Sequence, residues 1–175
     1  QCMLDHVIQG LCQYQLDGVR FVLRQLKRRQ PRQRLGNPLA YGILDAEKQT
    51  LHWAAAGHQP PLMQNLTTGE IAPLGDEADG GLPLTIDEDE EYESYSCKLP
   101  DNCRLLLYTD GLEEAFPEGD DENQFGVEGI IRTMAESAEL PLEQALDRLF
   151  DASNEYTQGT GRKDDTSVLL LERRS

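Results

Sequence analysis

The amino-acid sequence predicts an α+β domain, with helices packed on mainly antiparallel sheets. Three observations indicate this class: many short apolar stretches separated by turn residues, two stretches of helical periodicity in the second half, and a last apolar stretch near the end. The chain has 175 residues, a length that suits one domain over residues 1–175. Its composition, 38% hydrophobic and 27% charged, is typical of a globular protein with a real core.

The start of the chain is predicted to form two helices, over residues 2–15 and 17–29. In the second, Val19, Val22, Leu23 and Leu26 follow a spacing of three and four residues. Residues 30–38 are then expected to form a basic loop. Residues 1–30 are therefore predicted as two helices, and 39–175 as the sheet, a helical pair and a last strand.

Strand and turn patterns dominate from residue 39 onwards. Leu39–Asp45 and Thr50–Ala56 are apolar stretches separated by a short loop, which is a hairpin pattern. Leu62–Asn65 and Glu70–Leu74 have the pattern of a second hairpin. The remaining predicted elements are a strand over Tyr92–Lys98, a buried strand over Arg104–Thr109, helices over Gln124–Ser137 and Leu142–Tyr156, and a strand over Ser167–Glu172.

The charge restricts the classes of partner. There are 32 acidic and 16 basic residues, so the formal net charge is −16. Such a surface repels nucleic acid and anionic lipid and favours divalent cations and basic protein surfaces. No apolar run approaches the ~20 residues that a membrane-spanning helix needs. We expect no nucleic-acid partner and no membrane partner.

The four cysteines are Cys2, Cys12, Cys97 and Cys103. They form no C-x-x-C pair, and a zinc site from Cys2, His6 and Cys12 would have the wrong spacing for the usual families. Free thiols suit a reducing compartment, so a cytoplasmic location is expected.

Two acidic residues stand at the ends of buried strands. Asp110 follows Arg104–Thr109, and Asp164 precedes Ser167–Glu172. If these strands are antiparallel neighbours, both carboxylates lie at the same edge of one sheet. Close carboxylates repel each other unless a cation lies between them, and hard ions such as Mg²⁺ or Mn²⁺ prefer such ligands. Metal-assisted hydrolysis of a phosphate ester is one interpretation, and an ordinary strand-to-turn junction with capping acids is the other.

Five blocks then occur in the order of the protein phosphatase 2C (PPM) superfamily, in its bacterial SpoIIE and RsbU-like branch. Over residues 39–172 the chain resembles this branch in its hairpin with A-G-H-x-P-P-L, in G-x-P-L-G-I, in L-L-L-Y-T-D-G-L-x-E, in F-G and in D-D-I-T. These blocks fall on Leu39–Leu62, Gly81–Ile86, Arg104–Glu114, Phe125–Gly126 and Asp164–Ser167. Two positions depart from the pattern, because Thr85 replaces a glycine and Thr166 an isoleucine.

The resemblance implies a sandwich of two sheets flanked by helices, with two Mn²⁺ or Mg²⁺ ions at one edge. It assigns Asp110 and Asp164 as metal ligands and a metal-bound water as the nucleophile that attacks phosphoserine or phosphothreonine. Asp165, Gly111 and Thr109 are expected beside the ligands, as metal contacts or supports. His58 and Gly57 belong to the A-G-H block, and we expect them to stabilise a turn rather than to act in catalysis.

The same resemblance implies a substrate like an anti-sigma-factor antagonist, and a receiver or sensor module in the parent chain. The branch's N-terminal blocks, G-G-D-F-Y/F-D and D-x-S-G-H-G, supply further metal-binding aspartates and do not occur in these 175 residues. Three interpretations stay open. The chain shown lacks the N-terminal part of an active enzyme, or it is an inactive adaptor that binds a sigma factor or its antagonist, or it is an acidic α+β domain with no metal role.

Overall fold

The computed structural model describes residues 12–15, 18–24, 38–75, 80–120, 122–159 and 164–174. These residues form nine strands and two helices, arranged as two antiparallel sheets and a helical pair. The predicted α+β class is confirmed. Contacts divide the chain into two compact units, Gln1–Pro61 with Pro73–Pro100 and Leu62–Ala72 with Asp101–Ser175. None of the helices in the described part of the chain is long and apolar enough to cross a membrane.

The first unit contains a five-stranded sheet with the order β1-β2-β3-β4-β7. Its strands are β1 (Cys12–Gln15), β2 (Gly18–Arg24), β3 (Leu39–Asp45), β4 (Thr50–Ala56) and β7 (Tyr95–Lys98). The β3–β4 hairpin has the predicted bounds, and burial alternates along the first four residues of each strand. Trp53 of β4 and its partner Tyr95 of β7 stack with ring centroids 4.8 Å apart.

The two helices predicted at the start are wrong where the structure describes them. Cys12–Gln15 and Gly18–Arg24 are strands, and β2 pairs with β3 from Val19↔Leu44 to Arg24↔Leu39. The apolar residues Val19, Phe21 and Leu23 also alternate with a period of two, and β-branched and aromatic residues favour strands. Pairing with β3 therefore outweighs the helical spacing. Residues 1–11, 16–17 and 25–37, which carry the rest of both helices and most of the basic loop, lie outside the described residues.

The second unit contains a four-stranded sheet with the order β6-β5-β8-β9 and both helices. The bounds are β5 (Leu62–Asn65), β6 (Ile71–Pro73), β8 (Cys103–Tyr108), α1 (Gly126–Glu136), α2 (Leu142–Tyr156) and β9 (Val168–Arg173). Every residue of β8 is buried, as its apolar run predicts. The helices cover this strand with apolar side chains, and the resulting core includes Leu106, Tyr108, Leu112, Ile130, Met134 and Leu149.

Arg104 is the unexpected member of the buried strand β8, since its side chain is only 1% exposed. Its guanidinium donates to the Glu172 carboxylate at 2.8 Å, to Ser137 O at 2.8 Å and to Leu140 O at 2.6 Å. The buried charge is thus paired and hydrogen-bonded, which a buried ion requires. Hydrogen bonds from Arg174, and then from Arg104, lower the pKa of Glu172 below its ordinary value. Arg104 therefore ties β8 to β9 and to the end of α1.

Candidate metal centre

The ends of β8 and β9 bring the two predicted aspartates together. The strands are antiparallel neighbours, with Tyr108 opposite Val168, so the end of β8 lies beside the start of β9. The pairing continues for one more residue, because Thr109 N donates to Ser167 O at 3.0 Å. Asp110 and Asp164 therefore reach the same edge of the same sheet, as the antiparallel arrangement considered from the sequence requires.

Three carboxylates meet at this edge. One oxygen each from Asp110, Glu114 and Asp164 can be chosen so that all three lie within 4.8 Å of one another. Asp110 is buried at 7% exposure, Asp164 is partly buried and Glu114 is exposed. Three oxygen ligands that are buried on one side and open to water on the other fit a hard divalent cation, which keeps several waters in its coordination shell. The residues present thus suit the Mg²⁺ or Mn²⁺ that the sequence implies.

Glu114 was missed as a candidate site residue. After Asp110 the chain makes a helical turn, in which Leu112 N donates to Thr109 O at 3.0 Å and Glu114 N to Asp110 O at 2.8 Å. Residues four apart on such a turn lie on one face. If the turn after the strand is taken as helical, the i, i+4 spacing of Asp110 and Glu114 in T-D-G-L-E-E indicates that Glu114 lies beside Asp110.

Gly111 allows the two segments to approach closely. A Cβ built on Gly111 would lie 2.6 Å from Asp165 O, 2.9 Å from Thr166 Oγ1 and 3.0 Å from Asp164 O. Two of these three atoms are backbone oxygens, which cannot move aside as the end of a flexible side chain can, so no side chain fits here. A glycine at this position is thus required by the proximity of the Asp164–Thr166 segment to Asp110.

Thr109 and Asp165 lie beside the three carboxylates rather than among them. The Thr109 hydroxyl donates to Asp165 O at 3.2 Å and accepts from Ser167 N at 2.9 Å. Asp165 N donates to Asp164 Oδ1 at 2.8 Å, and the Asp165 side chain is exposed. Asp165 therefore contributes backbone contacts to the site, and its carboxylate is not part of the cluster.

His58 and Gly57 lie in the first unit, in the turn that follows β4. Gly57 has φ +62°, its N–H donates to Gly80 O at 2.6 Å, and a Cβ there would lie 2.3 Å from the Pro83 ring. The His58 ring is buried, with Nδ1 2.9 Å from Gln59 O. These contacts agree with a structural role for the turn, which stays a prediction.

Solved structures of several bacterial proteins share this fold. The SiaA PP2C domain of Pseudomonas aeruginosa superposes with a TM-score of 0.75 at 15% identity, covering 93% of this chain and 79% of that one. The PP2C domain of SpoIIE from Bacillus subtilis, solved with a fragment of its regulatory domain, gives 0.71 at 14%, covering 94% and 57%. RsbX in complex with magnesium gives 0.60 at 12%, covering 94% and 85%. The fold is therefore that of PP2C phosphatase domains.

The sequence defines the family more narrowly. Residues 15–174 match the family model of stage II sporulation protein E (SpoIIE), so this chain belongs to the SpoIIE family. No curated protein matches the sequence. The chain spans little more than half of the Bacillus subtilis SpoIIE structure. The resemblance stated from the sequence motifs is thereby confirmed.

Proposed function

We propose that this chain belongs to a metal-dependent phosphatase that hydrolyses phosphoserine or phosphothreonine on a bacterial regulatory protein. The observation that carries the proposal is the cluster of Asp110, Glu114 and Asp164 at the shared edge of β8 and β9. Membership of the SpoIIE family supports the reaction class. The buried environment of Asp110 supports a functional cluster, because a buried carboxylate needs compensation that a cation can provide.

Each of the three carboxylates would contribute one oxygen to the ion. Asp110 and Asp164 would hold the ion at the edge of the sheet, and the exposed Glu114 would supply a third oxygen. A bound Mn²⁺ or Mg²⁺ supplies Lewis-acid activation of water and neutralises charge on the phosphoryl group. Magnesium in the related RsbX structure supports this choice of ions. We expect two ions in a complete domain, since further carboxylates are needed for the second.

We further propose a substrate, a regulatory module and a cellular location. The substrate is a phosphorylated protein such as an anti-sigma-factor antagonist, and a receiver or sensor module in the parent chain controls the reaction. The net charge of −16 supports a partner that presents a basic surface around its phosphorylated residue. A cytoplasmic location agrees with the free thiol of Cys97.

The test compares the full-length protein with its Asp110→Asn variant. We expect Mn²⁺-dependent phosphate release from an aryl phosphate and from a phosphoserine peptide, and a loss of at least ~100-fold in the variant, because the asparagine removes a charged ligand from the ion. Equal rates in the two proteins, at saturating Mn²⁺, would contradict the proposal. A chelator should abolish the wild-type activity, and Mn²⁺ should restore it.

A second candidate function is an adaptor that binds a sigma factor or its antagonist without hydrolysis. The two functions differ in whether the full-length protein carries the D-x-S-G-H-G and G-G-D-F-Y/F-D blocks, which would supply further metal-binding aspartates and do not occur in these 175 residues. Stable binding of a phosphorylated antagonist with no phosphate release, by a protein that also lacks these blocks elsewhere, would favour the adaptor.

A further inference from the structure

The β8–β9 ladder ends just before the metal centre, and a side chain continues it. The last backbone contact is Thr109 N to Ser167 O at 3.0 Å. Beyond it, the Thr109 hydroxyl accepts from Ser167 N at 2.9 Å and donates to Asp165 O at 3.2 Å. Thr109 is 2% exposed, so water cannot easily replace these bonds. The hydroxyl thus continues the hydrogen bonding between the two segments beyond the last backbone pair.

The contacts of this hydroxyl lead directly to a carboxylate of the cluster. Asp165, whose carbonyl Thr109 holds, donates its N–H to Asp164 Oδ1 at 2.8 Å. Thr166 Oγ1 donates to Asp164 O at 3.4 Å, and Gly111 lies against the same backbone with no space for a side chain. The Asp164–Ser167 segment is therefore held by the Thr109 hydroxyl and packed closely against Gly111.

We propose that Thr109 is a positioning residue, whose hydroxyl sets the Asp164 carboxylate at the distance from Asp110 at which one cation binds both. This inference rests on the proposed function, in which Asp110 and Asp164 bind the metal. Thr109 acts through Asp165 and contacts no substrate or ion. Outer hydrogen-bonding partners of this kind fix the orientation of metal ligands and change affinity when removed.

The experiment uses the full-length protein and three variants. Thr109→Val keeps the branched shape and removes the hydroxyl, whereas Thr109→Ser keeps the hydroxyl. Thr133→Val is the matched control, because the Thr133 hydroxyl is equally buried in the same unit and donates to Gly129 O at 2.8 Å, away from the cluster. Should Thr109→Val fail to fold, Thr109→Ala removes the same hydroxyl without the branched shape.

Two measurements separate the steps. Titration calorimetry with Mn²⁺ should show a Kd raised ~10- to 100-fold in Thr109→Val and nearly unchanged in Thr109→Ser and Thr133→Val. Hydrogen exchange without metal should show faster exchange of the Ser167 amide in Thr109→Val alone, because that amide loses its acceptor. Both results together support the proposal.

The contrary outcomes are distinct. Unchanged exchange at Ser167 means that the hydroxyl does not hold the segment and overturns the proposal. Faster exchange with an unchanged Kd reduces Thr109 to a structural role and overturns it too. A wild-type protein that binds no Mn²⁺ overturns the proposed metal centre itself, a result obtained before any Thr109 variant is compared.

Discussion

At the scale of single residues, several side chains are determined by contacts that are remote in sequence. Gly111 is required by the Asp164–Thr166 segment, because a Cβ would lie 2.6–3.0 Å from two of its carbonyl oxygens and from Thr166 Oγ1. At Thr85, by contrast, a residue other than glycine occupies a position that favours glycine. It has φ +75°, a backbone conformation that a β-branched residue rarely adopts. The SpoIIE-like block G-x-P-L-G-I has glycine at this position. Both residues lead to a prediction.

Replacing Gly111 by alanine should disturb the metal centre. The new methyl group must push the Asp164–Thr166 backbone away, so we expect the Kd for Mn²⁺ to rise ~10-fold and the free energy of unfolding to fall by ~1–3 kcal/mol. Calorimetry and urea unfolding measure the two effects. Gly119→Ala is the control, because Gly119 has φ +82° and open space around it. That variant should lose stability only, and equal Mn²⁺ binding in both variants would contradict the prediction.

Replacing Thr85 by glycine should stabilise the protein. Glycine relieves the strained backbone, which outweighs its larger entropy in the unfolded chain, and we expect a gain of ~0.5–1 kcal/mol in the free energy of unfolding. Urea unfolding of the wild type and Thr85→Gly measures it. Asn102→Gly provides the comparison, since Asn102 has φ +53° but asparagine tolerates this conformation, so a smaller gain is expected. A loss of stability in Thr85→Gly would show that the threonine side chain contributes more than the strain costs.

At the scale of elements, the β8 strand organises the second unit. Its apolar residues pack under the helices, and its C-terminal end delivers Thr109 and Asp110 to the site. Its N-terminal end carries Arg104, whose guanidinium contacts both β9, through Glu172, and the turn between the helices, through Ser137 O and Leu140 O. The interior of the strand is thus held by packing and one end by a buried ion pair.

Replacing Arg104 by methionine should destabilise the protein strongly. Methionine fills a similar volume but leaves the partly buried Glu172 and two helix-terminal carbonyls without their shared donor, so we expect a loss of ~3 kcal/mol. Chemical unfolding of the variant measures it. Arg148→Met is the control: the Arg148–Glu155 pair lies on the surface at 3.2 Å, and its loss should cost less than ~1 kcal/mol. Similar losses in both variants would refute the special role of Arg104.

At the scale of the whole molecule, charge and metal binding are coupled. The chain carries 32 acidic and 16 basic residues, and self-repulsion on such a surface weakens the folded state. A cation held by Asp110, Glu114 and Asp164 would relieve repulsion at one point and bind only the folded chain. Specific binding of the cation is therefore expected to stabilise the folded protein more than the general screening effect of salt does.

Mn²⁺ should stabilise the folded protein by ligand linkage. At a free concentration 100 times the Kd, the expected gain is ~2.7 kcal/mol in the free energy of unfolding. The measurement is a thermal or urea unfolding series with Mn²⁺, with choline chloride at equal ionic strength to account for screening. Asp110→Asn should keep the response to choline chloride and lose most of the response to Mn²⁺. The same gain from both salts would mean that no specific site exists.

The sequence by itself determined the α+β class, the β3–β4 hairpin, the buried strand β8, both helices and the family. Local periodicity and turn residues encode each of these, and ordered motifs encode the last. The sequence also indicated that, if β8 and β9 are antiparallel neighbours, Asp110 and Asp164 lie at one edge of the sheet, and the strands do pair in this way.

Only the tertiary structure decided which distant segments pair and which residues satisfy each other's hydrogen-bonding groups. Pairing with β3 makes Gly18–Arg24 a strand despite its helical spacing. Burial of Arg104 depends on Glu172 and on two carbonyls beyond α1, and the turn after β8 brings Glu114 to the two aspartates. The physical reason is the same in each case: backbone pairing and the satisfaction of buried polar groups are properties of neighbours in space, which local sequence patterns do not specify.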